Sequence, residues 1–363
     1  MVLGLICVEL GHKLALMSKK IYNFFMIFIR KLSFWDKNNV KKMISFLGND
    51  EAEMFVNKLL KTSCGIFHYW LPLRFKFLSE SYVLVDDTDL HGMVSVAPFK
   101  GNPYKINFVK LLFKKDYYDI GKQLVEFIIA RYGAKGAQSF VVAIDDSHDE
   151  LIKLFIEGCG FRKCASEELW RIKQDEIPDD ICLNGFRQFK NSDAQAVAML
   201  FNDSLITHFK PSLLKTKNEY NDILFAGLPD DVELKYVLED STLQTIMAYF
   251  SVKTYDNTNY IVDITVSNGI TLDYDLILGY VKKQIMKRQK IFTMFVKLKK
   301  YVQHAETFEN YLKIKNFRCV KNQIILFKDF YKLIKQENIN HEVVLFTESG
   351  SRPVFKVQQK IND

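Results

Sequence analysis

Two parts of this chain repeat each other at a nearly fixed distance. Ile29-Arg30 opens a short apolar strand and Asp36 follows; Phe186-Arg187 opens another and Asp193 follows, 157 positions later at both the Arg and the Asp. The far ends agree as well: Gly160-Phe161-Arg162 and Asn316-Phe317-Arg318 each close a helical pattern, at an offset of 156. Similar offsets at both ends of a unit point to duplication, and so to one element order built twice. A length of 363 residues holds two domains of ordinary size. The polar stretch 175–183, which contains Pro178, separates them. The expected organisation is an extension over 1–25, a first unit over 26–174, a second over 183–330, and a tail over 331–363 with a candidate hairpin at 343–346 and 354–357.

Periodicity gives the order within each unit. In the first, a strand at 27–32 precedes an amphipathic helix at 36–47, with Asp36 placed to cap it. A second helix is expected at 51–61. Strands follow at 81–86, 92–98 and 105–113, then a helix at 121–132 with apolar residues at Leu124, Phe127, Ile128 and Tyr132. The unbroken apolar run at 139–144 suits a strand buried on both faces. A helix at 150–159 ends at Gly160, where a C-cap glycine belongs, and 164–172 closes the unit. The second unit gives strands at 234–239, 245–253 and 260–267, a helix at 273–288, a strand at 291–298, a helix at 305–314 and a strand at 324–327.

Composition excludes more than it selects. The residues are 48% hydrophobic and 26% charged, normal for a globular chain, and 30 Phe with 17 Tyr supply large aromatic cores. A net charge of +7 fits an anionic ligand or a solvated basic surface. No basic, aromatic-interleaved motif calls for nucleic acid. None of the six cysteines forms a C-x-x-C pair and no His cluster joins them, so neither a metal site nor a disulfide framework is expected. Reduced, buried thiols suit a cytoplasmic protein. The first 16 residues are interrupted by Glu9, His12 and Lys13, which makes them too short and too charged to span a membrane.

Three passages resemble the Gcn5-related N-acetyltransferase (GNAT) superfamily. Tyr82-Val83-Leu84-Val85-Asp86-Asp87 with Gly92-Met93-Val94-Ser95-Val96 is similar to its central hairpin. Phe113 to Leu124 occupies the place of its pyrophosphate loop. Leu154-Phe155-Ile156-Glu157-Gly158-Cys159-Gly160-Phe161 is similar to its late helix. The resemblance covers about 26–173 and again about 184–330. It implies two tandem acyl-CoA N-acyltransferase-like α/β (α+β) domains, each a mixed, mainly antiparallel sheet flanked by helices.

The same resemblance implies acetyl-CoA as cosubstrate and no metal. Val109 and Leu111 would offer strand backbone to the pantetheine. Tyr117, Tyr118, Asp119, Ile120, Gly121 and Lys122 would form the loop and first helical turn, whose N–H groups and dipole suit a pyrophosphate. Of the family's Gln/Arg-x-x-Gly-x-Gly/Ala only Gly121 survives, since the passage runs Asp116-x-x-Asp119-x-Gly121. Asp119 places a negative charge beside an anion, which Lys114, Lys115 and Lys122 could offset. Gly121 is equally open to a packing role.

No catalytic residue is assigned. The late-helix tyrosine that protonates the leaving thiolate in many members falls on Ile156, and Asp149 holds the asparagine-like place at that helix start. Asn107 stands where some members carry a glutamate. His68 and His91 are loop histidines for which a turn or surface role is the plainer account. In the second unit Asp275 aligns with Gly121 and Leu312 with the tyrosine, so this unit is expected to be degenerate. The run Lys297, Lys299, Lys300 reads as a solvated face. The leading expectation is acetyl transfer to a small-molecule or peptide amine. A catalytically inactive binding module and a transferase of aminoacyl groups from tRNA are the alternatives.

Overall fold

In the computed structural model the described residues are 28–44, 79–86, 89–99, 101–114, 118–177, 185–222, 232–240, 242, 245–254, 257–269 and 273–330. The 1–25 extension, the helix at 51–61, His68, Tyr117 and the tail hairpin lie outside them.

The first half contributes β1 (Phe28–Lys31), α1 (Lys37–Met43), β2 (Glu80–Val85), β3 (Leu90–Phe99), β4 (Asn102–Phe113), α2 (Tyr118–Gly133), β5 (Ser139–Asp145), α3 (Asp149–Lys153) and β6 (Arg162–Lys173). The second contributes β7 (Phe186–Gln188), α4 (Ala194–Ser204), α5 (Lys210–Leu213), α6 (Lys217–Tyr220), β8 (Val232–Asp240), β9 (Thr245–Thr254), β10 (Asn259–Val266), α7 (Tyr274–Met286), β11 (Thr293–Lys299), α8 (Ala305–Ile314) and β12 (Arg318–Asp329). All strands join one 12-stranded sheet in the order β1-β2-β3-β4-β5-β12-β6-β11-β10-β9-β8-β7. Read inward from its two edges the order is the same, with β7 to β11 standing for β1 to β5. Pairing is antiparallel except for β4 with β5 and β10 with β11.

The closing strands are exchanged. β6 ends the first half yet lies beside β11, and β12 ends the second yet lies beside β5. The two meet at the centre as an antiparallel pair. Side chains follow the exchange: Trp170 and Ile172 of β6 are buried in the core of the second half, while Leu326 of β12 is buried in the core of the first.

The repeat has a structural cause at both ends. Arg30 holds Asp36 through bonds of 2.7 and 2.6 Å, and Arg187 holds Asp193 through bonds of 2.7 and 3.1 Å. The backbone N–H groups of Ser33 and Lys190 each donate to the same carboxylates at 2.8 Å. Asp36 therefore does not cap α1, contrary to the sequence expectation: its oxygens are turned back to Arg30 and Ser33. At the far ends Gly160 and Asn316 both take left-handed backbone, with φ of 69° and 57°, the conformation that ends a helix. The first-half late helix runs over 149–158, close to the expected 150–159. After Lys153 it widens into a π turn, Leu154–Gly158, in which Leu154 and Phe155 are both fully buried.

A polar network joins the strands of the first half to α2. Glu80 accepts from Tyr82 and Tyr132 at 2.6 Å and from Lys31 at 2.7 Å. Burial raises its pKa, but these donors outweigh burial and hold it at about 2 against an ordinary 4.5. A carboxylate with a depressed folded pKa stabilises the fold above its unfolded pKa. That contribution is lost as pH falls from about 4.5 toward 2. Glu80→Gln should therefore flatten the pH dependence of stability in this window. The expected loss near neutral pH is about 2 kcal/mol, measured by urea unfolding at several pH values. An unchanged slope would show that the network does not favour the ionised form.

Candidate functional site

In each half the parallel strands part at their C-terminal ends, where open α/β sheets receive ligands. β4 pairs with β5 from Lys105↔Ser139 to Phe108↔Val142 and no further, although both strands continue. β10 pairs with β11 from Asn259↔Thr293 to Asp263↔Lys297, again short of both strand ends. Beyond these points β4 and β5, and β10 and β11, no longer pair with each other. The first opening has a further feature: the register of β3 with β4 slips between Ser95↔Lys110 and Val96↔Phe108, so Val109 is bulged out. Val109 is 48% exposed. A bulge of this kind re-aims backbone and side chain beside a cleft. β10 runs against β9 without one.

No family model matches the chain, and no curated protein sequence does. Solved structures do. A tandem GNAT protein from the clavulanic acid biosynthesis pathway aligns over 84% of this chain and 98% of its own, with a TM-score of 0.54 at 10% identity. A GCN5-related N-acetyltransferase from Sphaerobacter thermophilus aligns over 84% and 95%, with a TM-score of 0.50 at 11% identity. The chain has the tandem GNAT fold.

Within this fold the loop residues of the first half divide. Val109, Tyr118 and Asp119 are exposed, Leu111, Ile120 and Lys122 are half-buried, and Gly121 is buried. A Cβ on Gly121 would come within 2.7 Å of the Leu154 side chain. The first turn of α2 therefore packs directly on the π turn, and this contact accounts for the glycine without any phosphate. Gly158 serves the same junction from the other side, where a Cβ would meet the Tyr118 hydroxyl at 3.0 Å.

The catalytic candidates do not converge. His91 contacts Asp86 at 2.6 Å, and its backbone carbonyl accepts from Lys114, at the end of the β2–β3 hairpin. Ile156 is half-buried against the first core. Asp149 is exposed. Asn107 pairs with Val141, and the corresponding pair in the second half is Asp263 with Lys297.

The second half fills the end of its cleft with protein. Asp273 caps α7 by accepting from the N–H of Asp275 at 2.9 Å. Asp275 in turn accepts from Tyr311 and Lys315 of the α8 segment, both at 2.7 Å. Carboxylates thus occupy the N-terminal end of α7, where they also suit the helix dipole.

One feature escaped the sequence reading. Lys297, Lys299 and Lys300 are not a solvated face. Lys299 is 3% exposed and bonds Asp263 at 2.5 Å and Thr265 at 3.0 Å. Lys297 pairs with Glu167 at 3.0 Å, and Glu167 also accepts from Tyr301 at 2.6 Å. Lys300 bonds Glu168 and Glu309. Burial raises the pKa of Asp263, but the neighbouring lysines, Lys299 foremost, outweigh it and keep the carboxyl well below its usual range. Lys215 joins this cluster over the rings of Phe201 and Tyr220, at 4.2 and 5.4 Å. Desolvation pushes its amine down to about 8. Apart from Glu309 on α8, the acidic partners sit on β10 and β6, so only alternation along the strands, combined with the correct sheet order, could have revealed them.

Proposed function

We propose that the chain is an acyl-CoA-dependent N-acyltransferase whose first half holds the cosubstrate, with acetyl from acetyl-CoA moved to a small-molecule or peptide amine. The observation that carries this reading is the opening of β4 from β5 beside the bulged, exposed Val109. Free backbone at Val109 and Leu111 would pair with the pantetheine amides. The first turn of α2, Tyr118 to Lys122, would face the pyrophosphate with its unbonded N–H groups. The thioester supplies the activated acyl carbon; the chain's own contribution is to align that carbon with the amine. Ile156 cannot donate a proton, so the departing sulfur would draw one from solvent or another donor.

Calorimetric titration with acetyl-CoA tests the reading, with one site per chain expected. Gly121→Glu is a poor probe because it would also displace Leu154. Asp119→Asn is cleaner: it removes an exposed negative charge from the first turn of α2. If a pyrophosphate sits there, affinity should rise about 3- to 10-fold, as expected for a helix-end charge. Absence of binding would sink the proposal, and unchanged affinity in the variant would move the cosubstrate away from α2. The hydrocarbon at Ile156 and the neutral Asn107 favour a second reading, a binding module without turnover. Binding of acetyl-CoA with no thiol released in the presence of amines would select it.

A further inference from the structure

The second-half opening holds a cavity of about 30 Å³ between β10, β11 and the start of α8. That is space for roughly two waters, the size of a two-carbon acid. Its lining combines apolar Val302 and Phe308 with Ser204, Thr265, Lys299 and His304. His304 Nε2 is shut off from solvent and bonds nothing. Among the described residues only one other buried side-chain atom lacks a partner, Asn268 Oδ1. It lies on the loop leading to α7, and its amide nitrogen donates to the Asp203 carbonyl beside Ser204. Both orphans therefore belong to the α4 end of this cleft. Buried polar groups are ordinarily bonded, and each exception calls for a cause.

The cluster behind the cavity sets the amines of Lys215, Lys297 and Lys299 among the carboxylates of Asp263, Glu167 and Glu219. Asp273 and Asp275 fill the end of α7, so a ligand carrying a pyrophosphate is disfavoured and a small anion is not. From the cavity, the orphan imidazole and the buried Lys299 on the lining we infer that the second half binds a short-chain carboxylate. Its anionic head lies toward Lys299 and His304, and its alkyl part against Val302 and Phe308. The site is separate from the cosubstrate opening of the first half and does not depend on that opening being occupied.

The test uses the full chain and sodium acetate, at ionic strength held constant with sodium chloride, followed by broadening of the acetate methyl resonance. Saturable binding is expected. His304→Ala should weaken it about 10-fold or more, the size of a lost hydrogen bond to a charged group. Ala305→Met, which fills the cavity, should abolish it. Saturating acetyl-CoA should leave the acetate signal unchanged. If Ala305→Met does not fold, His304→Ala and the competition still decide, because His304 Nε2 bonds nothing in the protein. Broadening that does not saturate, that persists at full strength in His304→Ala, or that acetyl-CoA reverses would overturn the inference. The last result would make this cleft an acyl-CoA site.

Discussion

Cut within 178–184 and expressed as two chains, the halves should yield no stable monomer alone and should recombine one to one. β6 travels with the first half, yet both of its neighbours, β11 and β12, belong to the second. β12 travels with the second half, yet both of its neighbours, β5 and β6, belong to the first. Each isolated half would therefore carry a 12-residue strand with no partner. It would also present an open apolar edge on β5 or β11. The cores suffer equally. Without β6 the second half loses Trp170 and Ile172, both nearly inaccessible in the whole chain; without β12 the first loses Leu326. A domain typically keeps only about 5–15 kcal/mol of net stability, and losing a central strand removes an amount of that order. Circular dichroism and size exclusion of each half and of their mixture would read the outcome. A half that runs as a monomer and unfolds cooperatively would refute the exchange. A homodimer of one half would support it, since two copies could trade β6 as the two halves do here.

The same exchange marks where sequence reading ran out. The repeat was legible because its ends are chemical: an Arg–Asp pair at the start and a left-handed residue at the finish leave the same spacing twice. Strand pairing leaves no such trace. The run at 139–144 is apolar whether its neighbour is β6 or β12, and β6 is apolar enough to serve either core. Charge was misread for a related reason. Lys297 and Lys299 alternate along β11 and so share one face, but their acids come from β10 and β6, and no local pattern announces them. Gly121 was ambiguous because a glycine that admits a phosphate and one that admits Leu154 leave the same letter. The widening of the late helix was hidden too, because Leu154 and Phe155 are compatible with an ordinary turn.

Gly101→Ala should be among the most damaging single substitutions in the chain, costing about 3 kcal/mol or more. Two terms add. Gly101 has φ of 71°, where an L side chain costs roughly 1–2 kcal/mol. Its added Cβ would also lie 1.9 Å from the carbonyl oxygen of Asn218 and 2.3 Å from the carbonyl carbon. That neighbour is backbone in α6, so no rotamer change relieves the clash; the whole segment must move, and overpacking of this kind costs a further 1–3 kcal/mol. The segment is held from both sides. Lys105, buried on β4, reaches the Ser212 carbonyl at 3.4 Å, and Arg162 on β6 donates to the Ser212 hydroxyl at 2.5 Å. The β3–β4 turn of the first half is thus a seat for α5 and α6 of the second. Gly136 supplies the control. Its φ is 96°, but the nearest atom to an added Cβ is 4.0 Å away, on Tyr104. Gly136→Ala should therefore show the backbone cost alone, and the difference between the two variants isolates the contact between the halves. Chemical denaturation of both proteins, compared at their midpoints, measures it. Equal losses would mean that α6 does not rest on this turn. A larger loss at Gly101, restored in part by Asn218→Gly, whose looser backbone can yield, would fix the seat at that carbonyl.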